Sequence, residues 1–251
     1  MTLSDAFFAA PITHRGLHDR PRGIIENSMS AFEAAIDAGY GIELDVQLTA
    51  DKKPMVFHDY DMARLTGEAG PIQMRDAATV REMVLSDSAD TIFDLNSVLD
   101  LVAGRVPLLI EIKDQDGVMG PNVGPLERAV ADALEGYAGE AAVMSFNPHS
   151  TTLMHGLVPD RAVGLVTSAF EPNAWAPLPD RICTRLRDIP DYKTSGASFI
   201  SHEAADLGSD RVAELKAQGA HILCWTIKSQ EQADAALRVA DNITFEGFLP
   251  A

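Results

Sequence analysis

Residues 41–58 read GIELDVQLTADKKPMVFH. Gly41 to Leu48 alternates in the manner of a strand, and Pro54 to His58 is a second apolar run. Only Leu48 to Lys53 separates that run from Gln47. A parallel crossover needs a dozen or more residues, so the two runs must pair as an antiparallel hairpin. The second run is thus a return strand and drops out of the count of principal strands. Eight runs remain, beginning near residues 11, 41, 107, 141, 162, 197, 220 and 242. Helical patterns lie between them. Met29, Phe32 and Ile36 share a face, with Asn27 or Ser28 as the N-cap and Gly39 as the stop. Leu126, Val130, Ala133, Leu134 and Tyr137 mark a second helix, and Ser229 with Gln232 forms a capping box for a late one. Alternating strand and helix implies a parallel sheet with helices outside. Eight such units in 251 residues predict a TIM (β/α)8 barrel, a fold that typically takes ~250 residues. An open doubly wound sheet is the runner-up. It is weakened because no Gly-x-Gly-x-x-Gly or Walker A loop follows an early strand. The chain is expected to be one domain, 1–251. Residues 60–106 are too long for an ordinary strand-to-helix connection and are read as an inserted segment with helices of its own.

Composition narrows the function. The chain has 37 acidic and 20 basic residues, a net charge of −17. That excludes electrostatic binding to nucleic acid or to anionic lipid, both of which need Lys and Arg. The N-terminal MTLSDAFFAA lacks the basic start and long apolar run of a signal peptide, and no stretch approaches the ~18 apolar residues of a membrane helix. Cys183 and Cys224 make no disulfide framework and are expected as reduced, buried thiols. A cytoplasmic location is expected, with no stable membrane association.

In a TIM barrel the active site lies at the C-terminal ends of the strands. Those ends carry His14-Arg15-Gly16, Glu43 and Asp45, Glu111 and Lys113, Ser145-Phe146, and Trp225-Thr226. A hairpin turn centred between Asp51 and Lys52 places Asp45 opposite His58, on one face with Glu43. Glu43, Asp45 and Glu111 converging at one mouth would repel one another without a cation. All-oxygen ligation suits Mg²⁺ or Ca²⁺, with Mn²⁺ as a third candidate, rather than Zn²⁺. Arg15 and Lys113 are cations at the same rim, and a guanidinium can grip phosphate bidentately. His14 and His58 can divide general acid and general base work. Metal, cations and an acid/base pair together describe phosphoester cleavage. Taken singly, each of these residues has a plainer reading: a structural histidine, a solvated carboxylate, an ion pair between Glu111 and Lys113.

In these elements the chain resembles the glycerophosphodiester phosphodiesterase family. The resemblance rests on His14-Arg15-Gly16, Glu26-Asn27-Ser28, Glu43-Leu44-Asp45-Val46, His58-Asp59, Glu111-Ile112-Lys113, Ser145-Phe146 and Trp225-Thr226, in order, over residues 14–226. It implies a barrel with a small insertion after the hairpin and one divalent cation on Glu43, Asp45 and Glu111. It implies His14 and His58 as the acid/base pair, and Arg15 and Lys113 as phosphate contacts. Glu26 and Trp225 complete the implied substrate-binding set, and Asn27 is as good a helix cap as a substrate contact. The implied reaction splits a small-molecule glycerophosphodiester into glycerol 3-phosphate and an alcohol. The rivals are a related phospholipase and a catalytically inactive barrel that only binds. Two features depart from the family pattern or lie outside it. The end, Thr244-Phe245-Glu246-Gly247-Phe248-Leu249-Pro250, differs from the usual Thr-Asp-x-Pro-like turn, which leaves the last strand's contribution open. Phe170 to Ser195, with Pro172, Trp175, Pro177, Pro179, Arg181 and Pro190, reads either as a lid over the leaving alcohol or as a loop packed on the barrel.

Overall fold

The computed structural model describes all 251 residues. Nine strands form one sheet: β1 Ile12–Thr13, β2 Gly41–Leu48, β3 Pro54–Val56, β4 Leu108–Ile112, β5 Ala141–Ser145, β6 Ala162–Thr167, β7 Phe199–Glu203, β8 His221–Ile227 and β9 Asn242–Phe245. β1 pairs in parallel with both β2 and β9, which closes the sheet into a barrel of eight parallel strands. β3 lies outside that ring as the antiparallel return strand on β2. The open-sheet alternative is thereby excluded.

β2 shows why the sequence closes this way. It is buried on both faces, as a barrel strand must be. Ile42, Leu44 and Val46 point outward into a core shared with Phe32, Val98, Val130 and Met154. Burying each such side chain contributes roughly 1.5–3 kcal/mol. Glu43, Asp45 and Gln47 take the opposite face, toward the barrel interior. The bottom of the barrel is filled by Leu3 and Phe7 from the N-terminus, packed on Ile12, Leu109, Phe199 and Leu223. Asn242 anchors that plug by donating from Nδ2 to the carbonyls of Phe7 and Ala10.

The hairpin register differs from the expected one by a single residue. Val46 pairs with Val56, Gln47 with Met55 and Leu48 with Pro54, so Asp45 stands opposite Phe57 and not His58. The cause is a three-residue turn. Thr49 N–H donates to the Lys53 carbonyl, Lys53 N–H donates to Thr49 Oγ1, and Lys52 takes a positive φ of 62°. The turn therefore centres on Asp51. His58 lies beyond the end of the ladder, where Gln47 Nε2 donates to its carbonyl at 3.0 Å.

Within residues 60–106, Met62, Leu65, Ile72, Val80, Met83, Leu85 and Ile92 pack with Ile25, Met55 and Phe57 as a separate apolar cluster. The helix at the end of the span, Leu95–Val102, instead packs on the barrel: Leu95, Val98, Leu99 and Val102 belong to the main core.

Candidate active site

His14 follows β1, where its N–H donates to the Phe245 carbonyl of β9. Its Nδ1 lies 2.5 Å from Glu246 Oε2. His58 repeats the arrangement, with Nδ1 2.7 Å from Asp59 Oδ1. A carboxylate can only accept, so each Nδ1 donates and leaves Nε2 free of a proton when the ring is neutral. Burial lowers the pKa of His14, against the opposing pull of the Glu246 hydrogen bond. Glu246 is held well below the usual carboxylate range by hydrogen bonds from His14 and His18.

Glu43, Asp45 and Glu111 are all buried, and their carboxylate oxygens lie within 4.8 Å of one another. Asp45 accepts from Asn27 Nδ2 at 2.9 Å and lies 3.2 Å from Arg15 Nε and 3.3 Å from Lys113 Nζ. Burial pushes the Asp45 carboxyl up, but Lys113, His58 and Arg15 outweigh it and hold the group ionised. Lys113 Nζ donates to Glu111 Oε1 at 2.6 Å. Glu43 receives only a backbone bond, from Arg15 N–H at 3.0 Å. Burial, together with the charges of Asp45 and Glu111, drives its pKa well above the ordinary value. Buried carboxylates that repel in this way, one of them lacking a charged hydrogen-bond partner, fit a hard divalent cation.

The sequence-derived candidates separate into three groups. His14, Arg15, Glu43, His58, Glu111, Lys113 and Trp225 line one inner cavity of about 70 Å³. Asp45 sits beside it through its bonds to Arg15 and Lys113. Glu26 lines neither this cavity nor the larger one outside it. It accepts from Arg15 Nη1 at 2.6 Å and from both Nη atoms of Arg64, whose Nε donates to Asp59. Its carboxyl pKa falls to about 2, because Arg64 and Arg15 outweigh the opposing effect of burial. Glu26 is therefore a brace behind Arg15, not a lining residue. Arg15 and Lys113, read as phosphate contacts, are both in contact with the carboxylates.

Asp59, Arg64 and Glu246 in this network were not among the site candidates, and Asn27 was read as a helix cap as readily as a substrate contact. Ser28 caps the first helix, Met29–Ala38, by accepting from Ala31 N–H. That frees Asn27, at φ 56°, to hold Asp45. Asp59 carries no signal beyond its place after His58. Glu246 carries one: it is the first residue past the last strand, at the end of the barrel where sites form.

Outside the inner cavity lies a cavity of about 910 Å³ that shares His58, Glu111, Lys113, Phe146 and Trp225 with it. One wall is aromatic. The Phe146 ring stands 4.9 Å from Trp175 and 5.6 Å from Trp225. Trp175, Pro177 and Leu178 come from the proline-rich connection, which therefore forms part of this wall.

Paired His–carboxylate groups beside a buried acidic cluster, in a closed parallel barrel, are the parts that phosphoester cleavage needs. Residues 14–241 match the model of the glycerophosphoryl diester phosphodiesterase family, and the chain belongs to that family. It is 31% identical to a glycerophosphodiester phosphodiesterase of Bacillus altitudinis, over 57% of this chain and 61% of that protein. It is 26% identical to a putative member of Bacillus subtilis over 88% of this chain and 87% of that protein. Among solved structures, a phosphodiesterase of Oleispira antarctica in complex with sn-glycerol-3-phosphate superposes with a TM-score of 0.77, at 21% identity, covering 96% of this chain and 94% of that one. A Thermotoga maritima enzyme superposes at 0.70, also at 21% identity and covering 94% of both chains. These likenesses carry the barrel fold.

Proposed function

We propose that this chain hydrolyses glycerophosphodiesters to glycerol 3-phosphate and an alcohol, with His14 and His58 as the acid/base pair. The observation that carries the reading is that both histidines line one cavity beside the acidic cluster, each with Nδ1 on a carboxylate. The lining of the two cavities supports a division of roles. His14 lines only the inner one, whereas His58 lines both. The glycerol unit then occupies the inner cavity and the departing alcohol the outer one. His14, held neutral by burial, takes the proton from the glycerol hydroxyl next to the phosphoester, and that oxygen attacks phosphorus. His58 gives its proton to the leaving oxygen. Water then opens the resulting cyclic phosphate with the two histidines in reversed roles. Arg15 and Lys113 hold positive charge beside the phosphate. A divalent cation bound by Glu43, Asp45 and Glu111 would supply Lewis-acid charge to the phosphodiester oxygens. Trp175, Phe146 and Trp225 form the wall against which the leaving alcohol packs.

The test is release of glycerol 3-phosphate from a panel of glycerophosphodiesters across a metal titration. His14→Ala and His58→Ala should each lower kcat by at least ~10²-fold with unchanged circular dichroism. Wild-type turnover by either variant would remove it from the mechanism.

A further inference from the structure

The inner cavity has two unlike sides. The side built from β1, β2 and β4 presents His14, Arg15, Glu43, Glu111 and Lys113, all ionisable. The side running from β5 to β9 presents Met144, Phe146, Val166, Ser201, Trp225 and Thr244. Trp225 Nε1 is already bound to the Ser201 carbonyl at 2.9 Å. That leaves the hydroxyls of Ser201 and Thr244 as the open polar groups on this side. Neither has a hydrogen-bond partner, although the residues are 0% and 1% exposed. Other buried hydroxyls of the barrel are satisfied: Thr13 donates to the Gly41 carbonyl and Ser145 to that of Ile112. Five buried side-chain atoms in the chain lack a hydrogen-bond partner, and three of them, Arg15 Nε, Ser201 Oγ and Thr244 Oγ1, belong to residues lining this cavity; Arg15 Nε still has the Asp45 carboxylate at 3.2 Å, whereas the two hydroxyls have no such neighbour. An unpaired buried hydroxyl is unfavourable, so a concentration of them marks a place where something else completes the bonds.

A hydroxyl both donates and accepts, so it can pair with another hydroxyl in either sense, and the cations suited to a phosphate, Arg15 and Lys113, lie on the opposite side of the cavity. Set between the apolar Met144, Phe146 and Val166, the two groups suit a short fragment that alternates CH and OH. We infer that Ser201 and Thr244 bind the hydroxyls of the glycerol unit and so determine the preference for a polyol on that side of the phosphodiester. The inference rests on the proposed glycerophosphodiester activity.

Calorimetry with sn-glycerol 3-phosphate and with n-propyl phosphate, both in Mg²⁺, tests it, because the two ligands differ only in hydroxyls. Wild type should favour glycerol 3-phosphate. Ser201→Ala and Thr244→Val should each weaken that ligand by about three- to tenfold and leave propyl phosphate within twofold. Thr244→Ser, which keeps the hydroxyl, should bind as wild type does. A double variant with unchanged affinity for glycerol 3-phosphate, or equal losses for both ligands in folded variants, overturns the assignment. A wild-type chain that neither binds nor releases glycerol 3-phosphate overturns the functional reading as well. One that does both, beside an unaffected double variant, overturns this inference alone.

Discussion

His14 and Glu246 are 232 residues apart in sequence and 2.5 Å apart in the barrel, because β1 and β9 are neighbours. Burial lowers the pKa of His14, and the Glu246 hydrogen bond opposes that shift. A base must be neutral to act, so the acid limb of kcat/KM should lie below the ordinary histidine value of about 6.5. Removing the charge of Glu246 removes an interaction that favours the protonated His14 ring. Glu246→Gln should therefore move that limb to lower pH and reduce the plateau rate, by less than His14→Ala does. A pH–rate profile of the purified variant checks this, and a limb that stays in place would detach Glu246 from the histidine. Glu246 escaped the sequence reading because a glutamate after a strand is common, and its partner is set only when the barrel closes.

At the scale of elements, the connection between β6 and β7 places Trp175, Pro177 and Leu178 on the outer cavity. Of the two readings open for this connection, the lining position favours contact with the leaving alcohol. Trp175→Ala should raise KM for glycerophosphodiesters with bulky alcohols several-fold, and should leave the affinity for sn-glycerol 3-phosphate unchanged. Loss of product affinity in a folded variant would instead assign Trp175 a general structural part. The β2–β3 hairpin is an example of a wrong route to a right neighbourhood. A turn centred on Asp51 and not between Asp51 and Lys52 shifts the register by one residue and puts Phe57 opposite Asp45, yet His58 still reaches the cavity from beyond the ladder. The shortness of the Leu48–Lys53 connection identified the hairpin; the centring of its turn on Asp51 depended on Thr49 bonding to both the N–H and the carbonyl of Lys53.

Over the whole molecule, a charge of −17 opposes the approach of an anionic substrate. The acidic cluster adds to that field until a cation is bound. Dialysis against EDTA should therefore weaken binding of sn-glycerol 3-phosphate by at least ~10-fold, and not turnover alone. Titration calorimetry before and after re-addition of Mg²⁺ or Ca²⁺ reads it. The same charges set the acid stability. Glu26 has a folded-state pKa of about 2, below its ordinary value of 4.5, and Asp59, Asp94 and Glu246 are lowered as well. Between those limits the unfolded chain binds more protons than the folded one. The stability these four carboxylates contribute is then fully present above about pH 4.5 and is lost as pH falls toward 2. The thermal midpoint should fall steadily over that window, and Glu26→Gln should flatten the fall.

The eight parallel strands were legible in the sequence to within two residues of their starts, because a buried parallel strand is a local apolar run between turns. The residues at their C-terminal ends followed from barrel geometry, which puts Glu43, Asp45, Glu111, His14 and Lys113 at one mouth whatever the details. Tertiary packing alone decided the partners: Glu246 on His14, Asn27 on Asp45, Glu26 behind Arg15, and two cavities that share His58, Glu111, Lys113, Phe146 and Trp225. Periodicity reports which face of an element is buried. It is silent on which side chains from distant strands meet there, because those meetings depend on closure, register and the lengths of turns.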